Sequence, residues 1–259
     1  MSKKIAVLVP CYNEETTVAQ VVADYKQAIP GAEIWVYDNN SSDATTQKAL
    51  EAGAFVRQEF RQGKGHVVRS MFRDIDADVY VMVDGDSTYP AADAQNVMAP
   101  VLEGRADMAV GDRITSQAYD KQNTRQFHGF GNRLVVNIIN KLFKADLKDI
   151  MSGYRAMNRV FVKTMPVLSP GFEIETEMSL HALDKRMRIV EVPIDYHERP
   201  EGSSSKLNTY VDGFKILRTI ANIFKDYKPM SFFGRASALL ALAGLGVGAF
   251  PVMDYIVYG

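Results

Sequence analysis

The stretch VYVMVDGDSTYP, residues 79–90, decides how this chain is read. Val79, Tyr80, Val81, Met82 and Val83 form an unbroken apolar run, the mark of a strand buried on both faces of a parallel sheet. The run stops on Asp84-Gly85-Asp86. Two carboxylates separated by one glycine leave an open loop in which both can face a cation, and hard divalent ions take oxygen ligands of this kind. In open α/β sheets, ligands sit beyond the carboxyl ends of the strands, where these acids stand. Asp-Gly after a strand is also ordinary turn chemistry. Alone, the pair reads as metal site or turn, and its neighbours must decide.

Upstream, residues 4–10 read as a first strand, followed by the loop Pro10-Cys11-Tyr12-Asn13-Glu14-Glu15. Val18, Val21, Val22, Tyr25 and Ile29 recur at helical spacing, so Thr16 or Thr17 starts a helix that Pro30-Gly31 ends. Residues 32–37 form a second strand closing on Asp38-Asn39-Asn40-Ser41-Ser42-Asp43, with Asp43 placed to cap the next helix, through Ala52. Residues 55–58 read as a short third strand, and Gln62-Gly63-Lys64-Gly65 opens a helix over 66–74. After the opening stretch come a helix over 92–103 and a strand over 107–110 that ends on Gly111-Asp112-Arg113.

This strand and helix alternation implies a parallel sheet whose polar loops gather on one edge, a nucleotide-binding arrangement. No Gly-x-Gly-x-x-Gly follows the first strand and no Gly-x4-Gly-Lys-Ser/Thr occurs, which excludes the usual dinucleotide and phosphate-loop signatures. Further on, a helix over 131–143 leads to Asp149-Ile150-Met151-Ser152-Gly153-Tyr154-Arg155. Residues 172–183 read as a helix carrying Glu173, Glu175 and Glu177. Residues 188–196 read as an edge or bulged strand because they contain Pro193.

The net charge of −1, from 30 Lys and Arg against 31 Asp and Glu, gives no basic field for nucleic acid. The single Cys11 excludes an intrachain disulfide and a cysteine-based zinc site, consistent with a reducing compartment. Residues 206–226 place Leu207, Tyr210, Val211, Phe214, Leu217 and Ile220 on one face. That pattern suits a helix packed on its own domain, and the apolar segment after it makes it a candidate interfacial helix. Residues 236–253 carry no charge and as a helix span about 27 Å, just under a hydrocarbon core of about 30 Å, with Pro251 expected to shorten the regular part. The expectation is a membrane segment rather than a buried core helix, with a partner helix beyond this sequence. Lys225, Lys228 and Arg235 put the preceding domain on the cytoplasmic side.

Taken together, VPCYNEE, DNNSSDAT, GKGHVVRSMF, DVYVMVDGDSTYP, GDR, DIMSGYRAMNR and ERPEGSSSKLNTY resemble glycosyltransferase family 2, in particular polyprenyl-phosphate glycosyltransferases of the dolichyl-phosphate mannose synthase type. The resemblance runs in order from Ile5 to about Ile220. It implies an α/β GT-A (Rossmann-like) nucleotide-sugar domain with a mostly parallel sheet over 1–205, an amphipathic interface helix over 206–228 and a membrane-associated segment over 229–259. By motif, it implies that Pro10, Tyr12, Asn13, Glu15, Asp38 and Asn40 line the base and ribose pocket. It further implies that Asp84, Gly85 and Asp86 lie at the sugar and diphosphate, with Asp84 and Asp86 holding Mg2+ or Mn2+. Lys64, Arg199 and Lys206 would bring positive charge to the phosphates, and Arg113, Arg125 and Arg155 would grip an acceptor phosphate. Asp149 would stand near the anomeric carbon. A serine of the mannose synthases is replaced near His128, and EIETEM departs from them, so neither mannose nor guanosine follows.

The expected reaction is an inverting transfer from a UDP- or GDP-sugar to a polyprenyl phosphate by a membrane-associated enzyme with a cytoplasmic catalytic domain, which could form a homo-oligomer. Two rivals stand beside it: a family 2 transferase acting on a glycan or other non-lipid acceptor, and a catalytically silent nucleotide-sugar-binding membrane subunit.

Overall fold

A computed structural model describes residues 3–115, 126–200, 218, 221–222, 224–225 and 229–258. The chain divides into two compact units, Met1–Ile216 and Leu217–Gly259.

In the first unit a seven-stranded sheet runs in the order β3-β2-β1-β4-β6-β5-β7. Its strands are β1 (Ile5–Cys11), β2 (Glu33–Asp38), β3 (Phe55–Gln58), β4 (Val79–Met82), β5 (Met108–Asp112), β6 (Arg155–Asn158) and β7 (Ile189–Pro193). β3, β2, β1 and β4 are parallel neighbours, with Ala6 opposite Glu33 and Ile5 opposite Val79. β6 lies antiparallel between β4 and β5, and β5 pairs in parallel with β7. The sheet is therefore mostly parallel.

The apolar run in β4 is buried on both faces. Val79, Val81 and Val83 join one core cluster with Val7 and Val9 of β1, under α1 (Val18–Ala28) and α4 (Ala94–Leu102). Tyr80 and Met82 join the opposite cluster with Ala6, Leu8 and residues of α3 (Lys64–Asp74). Period-two alternation of fully apolar strands thus feeds two cores. The remaining α-helices among the described residues of this unit are α2 (Thr45–Glu51), α5 (Gln126–Phe143), α6 (Arg159–Thr164) and α7 (Ile174–Asp184). The N-cap of α2 falls on Ala44 rather than on Asp43 as expected, because Asp43 lies two residues ahead of the helix, where its Oδ1 accepts from Thr45 N at 3.0 Å.

β7 is an edge strand and ends on Pro193, where a missing N–H costs no ladder bond. β6 is the strand that sequence reasoning missed. Its four residues, RAMN, begin with a charged side chain and are too few to show a period.

In the second unit, α8 (Pro229–Tyr258) is a 30-residue helix with mean hydropathy 1.9 over its most apolar window and no buried residue. At 1.5 Å per residue it is about 45 Å long, enough to cross a bilayer core of about 30 Å. Pro251 does not shorten it: the helix continues to Tyr258. A proline removes one donor and crowds one carbonyl, a cost that a long apolar helix can absorb by local adjustment. The expected interfacial helix over 206–226 falls almost wholly outside the described residues, as do Arg125 and Lys206.

Candidate active site

The carboxyl ends of β1, β2 and β4 are pinned by unusual backbone. Asn13, Asn40 and Ser87 have φ of 53°, 63° and 62°, one in each loop after a strand. Asparagine tolerates this left-handed region because its short amide bonds locally, whereas serine needs its surroundings to hold it there. Asn13 Oδ1 accepts from Ser42 N at 2.8 Å, and Asn13 N donates to Ser41 Oγ at 2.8 Å, which stitches the first loop to the second. Asn40 Nδ2 donates to Phe60 O at 3.0 Å. Glu15 belongs to the same stitching, its Oε2 accepting from Ala44 N at 3.1 Å. Pro10 is partly buried and Tyr12 is 38% exposed beside them.

Asp38 closes β2 but is 2% exposed. Its Oδ1 accepts from Ser41 N at 3.2 Å, and its Oδ2 from Thr46 Oγ1 at 3.0 Å and Gln58 Nε2 at 3.3 Å. These bonds make it a brace for the loop.

Asp84 and Asp86 lie beyond β4, and each carries a cation. Lys64 Nζ stands 2.5 Å from Asp84 Oδ1 and 2.5 Å from Glu175 Oε1. Burial pulls the Lys64 amine downward, but the two carboxylates more than reverse this, so it stays charged above the ordinary lysine range. Glu175 is pushed up by its own burial, and Lys64 pulls against that shift. Asp86 is 3% exposed. Burial and then the neighbouring Asp84 charge raise its carboxyl, while Arg199 opposes them. Arg199 Nη2 is 2.5 Å from Asp86 Oδ2, and its Nη1 is 3.7 Å from Glu14 Oε1. Thr88 Oγ1 donates to Asp86 Oδ1 at 2.7 Å.

Glycine is required twice in this floor. A Cβ on Gly85 would lie 2.6 Å from Cys11 Sγ, and one on Gly153 would lie 2.8 Å from Asp84 Oδ2. The loop carrying Ser152-Gly153 therefore packs directly onto Asp84, held by Gly153 N donating to Tyr89 OH at 2.9 Å.

Four carboxylates (Asp84, Asp86, Glu14, Glu175) thus meet two cations (Lys64, Arg199), leaving an excess of negative charge that suits a divalent ion. Among the described residues, no three His, Cys, Asp or Glu side chains converge on one point. Asp84 and Asp86 are oxygen donors of the kind that a hard divalent cation takes, each engaged by a cationic side chain here.

Residues 6–165 match the family described as Glycosyl transferase family 2. The chain belongs to glycosyl transferase family 2. Glycosyltransferase AglJ of Haloferax volcanii is 34% identical to this family 2 transferase over 254 residues, covering 98% of this chain and 82% of that protein. The dolichyl-phosphate hexose transferase of the same organism is 28% identical over 219 residues, covering 85% and 93%. Mycobacterium tuberculosis glucosyl-3-phosphoglycerate synthase, in its crystal structure with Mn2+, UDP and glucosyl-3-phosphoglycerate, superposes with a TM-score of 0.68 at 20% identity. It covers 86% of this chain and 80% of that one, and it shares the GT-A fold.

Elsewhere in the transferase, Arg113 follows β5 and grips Asp149 with Nε to Oδ2 at 2.7 Å and Nη2 to Oδ1 at 2.9 Å. The Asp149 side chain has no exposed surface. Both oxygens of the carboxylate that the resemblance puts near the anomeric carbon accept from Arg113. Arg155 is likewise fully buried. Its guanidinium donates to Ser152 O at 2.9 Å, Ile150 O at 2.6 Å and Ser179 Oγ at 3.0 Å, and burial lowers its pKa to about 10. It braces the 149–155 loop from within and has no surface for an acceptor phosphate.

Sequence reasoning passed over Glu14 and Glu175. Glu15 drew attention beside Glu14, yet Glu14 is the one that reaches Arg199. Glu175 stood in a run of three acids that are all buried, and their burial was the missing signal.

Proposed function

We infer that this transferase moves a sugar from a nucleoside-diphosphate sugar to a polyprenyl phosphate at a membrane, with inversion at the anomeric carbon. The observation that carries the reading is the acid pair Asp84 and Asp86, each within 2.5 Å of a cation at the carboxyl edge of the sheet. Such a mixed-charge floor matches a diphosphate with its counter-ion. The dolichyl-phosphate hexose transferase among its relatives, and the exposed apolar helix α8, support a lipid-borne acceptor.

In this reading Asp84 and Asp86 hold Mg2+ or Mn2+, which supplies neutralisation of charge on the departing diphosphate. Lys64 keeps a fixed positive charge at the floor because Glu175 and Asp84 hold it there. Arg199 moves from Asp86 to the phosphates when the donor binds. Arg113, locked by Asp149, offers a positioned cation toward the acceptor phosphate, assisted by Arg125. Lys206 joins Arg199 at the donor, and the loops carrying Pro10, Tyr12, Asn13, Glu15, Asp38 and Asn40 frame the base and ribose.

A phosphate oxygen of the acceptor attacks the anomeric carbon, the new C–O bond forms as the bond to the diphosphate breaks, and the electron pair leaves with the nucleoside diphosphate. The second pKa of a phosphate monoester is about 6, so the nucleophile is already ionised and no strong base is needed. Alignment and charge neutralisation carry the step. The basic residues Lys225, Lys228 and Arg235 ahead of the apolar stretch favour a cytoplasmic catalytic unit.

A panel of radiolabelled UDP- and GDP-sugars, offered with membrane-embedded polyprenyl phosphate, tests this reading. Label should enter the organic-extractable fraction with one donor and stay out when a chelator is present. Label appearing only in a water-soluble glycan would overturn the lipid acceptor.

A further inference from the structure

Away from the sheet-edge site, α3 presents a second cationic hollow. His66, Arg69, Ser70 and Arg73 follow one another at helical spacing along one stripe, and Glu59 and Arg61 face them from the loop after β3. Together they line a surface pocket of about 200 Å3. It shares no residue with the diphosphate floor.

The lining is mostly cationic, three arginines and a histidine against one carboxylate. Its one carboxylate, Glu59, is already engaged by the Ser70 hydroxyl and by Arg61 N at 2.9 Å. Arg69 is anchored by Nε and Nη2 donating to Val167 O at 2.8 and 2.5 Å, which fixes its plane without neutralising it. The Arg61 and His66 charges both act on the Glu59 carboxylate and help hold it ionised, and the Nδ1 of His66 is buried without a hydrogen-bond partner among the described residues. Arg73 is the exception, since its charge is shared with Asp74 at 2.6 Å. Beside these groups two apolar side chains stand in solvent: Phe60, 78% exposed between Glu59 and Arg61, and Leu168, 67% exposed next to the carbonyl that anchors Arg69.

We propose that this pocket is a second anion site that takes a phosphate group. Arginine forks and a histidine suit the tetrahedral oxygens of phosphate. The exposed Phe60 and Leu168, next in sequence to Glu59 and Arg61 and to the Val167 carbonyl that anchors Arg69, suit a phosphate carried on an acyl chain. A free phosphate ion shares the recognising chemistry.

Calorimetric titration of the full chain in neutral detergent separates the sources. Two probes are used, inorganic phosphate and dihexanoyl phosphatidic acid below its micelle concentration. Each is run on the wild type and on the Arg61→Gln/Arg73→Gln double variant, whose altered side chains are exposed. The double variant should bind at least one probe about tenfold more weakly, the loss of roughly one charge-assisted contact, while retaining its melting temperature and its transfer rate. If the lipid binds more tightly than the ion, and Phe60→Ser/Leu168→Ser removes that excess, the site takes a lipid headgroup. Equal affinities for the two probes assign it to the free ion. Identical isotherms for wild type and double variant with both probes overturn the proposal.

Discussion

Arg199 holds its Nη2 2.5 Å from Asp86 Oδ2, on one of the two carboxylates that a divalent ion would need. On the proposed reading, cation and metal compete for the same oxygen. Arg199→Ala should bind Mn2+ at least as tightly as the wild type, because no guanidinium has to be displaced. Its transfer rate should nonetheless fall by about ten- to a hundredfold, through loss of a charge-assisted phosphate contact. Titration calorimetry with Mn2+ alongside steady-state kinetics checks both halves. Weaker Mn2+ binding in the variant would show that Arg199 supports the ion rather than competing with it.

Lys64 bridges Asp84 and Glu175, and all but 8% of its side chain is covered. Lys64→Met leaves two neighbouring carboxylates without their cation, which should cost about 2–4 kcal/mol at pH 8, less than for a fully buried pair because Asp84 is partly open. Without Lys64, burial raises Glu175 further. A group whose folded pKa is raised contributes stability below its unfolded pKa that is lost as pH rises, so this variant should be more stable at pH 5 than at pH 8, relative to wild type. Denaturant unfolding at the two pH values measures it.

His181 is buried in α7, its ring nearly perpendicular to that of Phe161 with centroids 5.8 Å apart, and both ring nitrogens lack hydrogen-bond partners among the described residues. Burial, then the Lys185 charge, lowers its pKa, while Asp184 and Glu177 pull the other way. The folded state thus favours neutral imidazole. Stability from this group is complete above the unfolded value of about 6.5 and is lost as pH falls below it. Melting temperature should drop between pH 7.5 and 5.5 in the wild type, and the drop should be smaller in His181→Leu. An unchanged pH response in that variant would clear His181 of the effect.

Helix α8 has no buried residue, so its removal should spare the core of the first unit. A chain ending at Lys228 should keep its affinity for nucleoside diphosphate. Its activity on long-chain polyprenyl phosphate should fall about a hundredfold as the gain from tethering on the membrane is lost. Equal retention of both would mean that α8 does not serve the acceptor.

Much of the fold was legible because β1, β2 and β4 are largely apolar runs followed within a few residues by Asn13, Asp38 and Asp84, a pattern with few competing readings. Helix α1 followed from Val18, Val21 and Val22 at helical spacing and from the Pro30-Gly31 stop. β6 was hidden because a strand that opens on Arg155 looks like loop, and only its insertion between β4 and β5 makes sense of a buried arginine. In the site, the loop motifs located Asp84, Asp86, Lys64 and Arg199 near one another. Sequence could not give the pairing that decides their roles. Asp149 and Arg155 are polar residues in a motif, and that description fits a reacting group and a buried brace equally well. The difference lies in contacts such as Arg113 on Asp149, which are long-range and leave no period in the chain.

The most direct measurement is transfer of labelled sugar into polyprenyl phosphate by the full chain, with Mn2+ and with a chelator, for wild type and Asp86→Asn. The amide still accepts from Thr88, so the fold should hold. Transfer should fall by on the order of a thousandfold, the few kcal/mol that a metal supplies to a departing diphosphate. Wild-type transfer that ignores the chelator, or Asp86→Asn turnover equal to that of the wild type, would contradict the acid pair as the seat of the reaction.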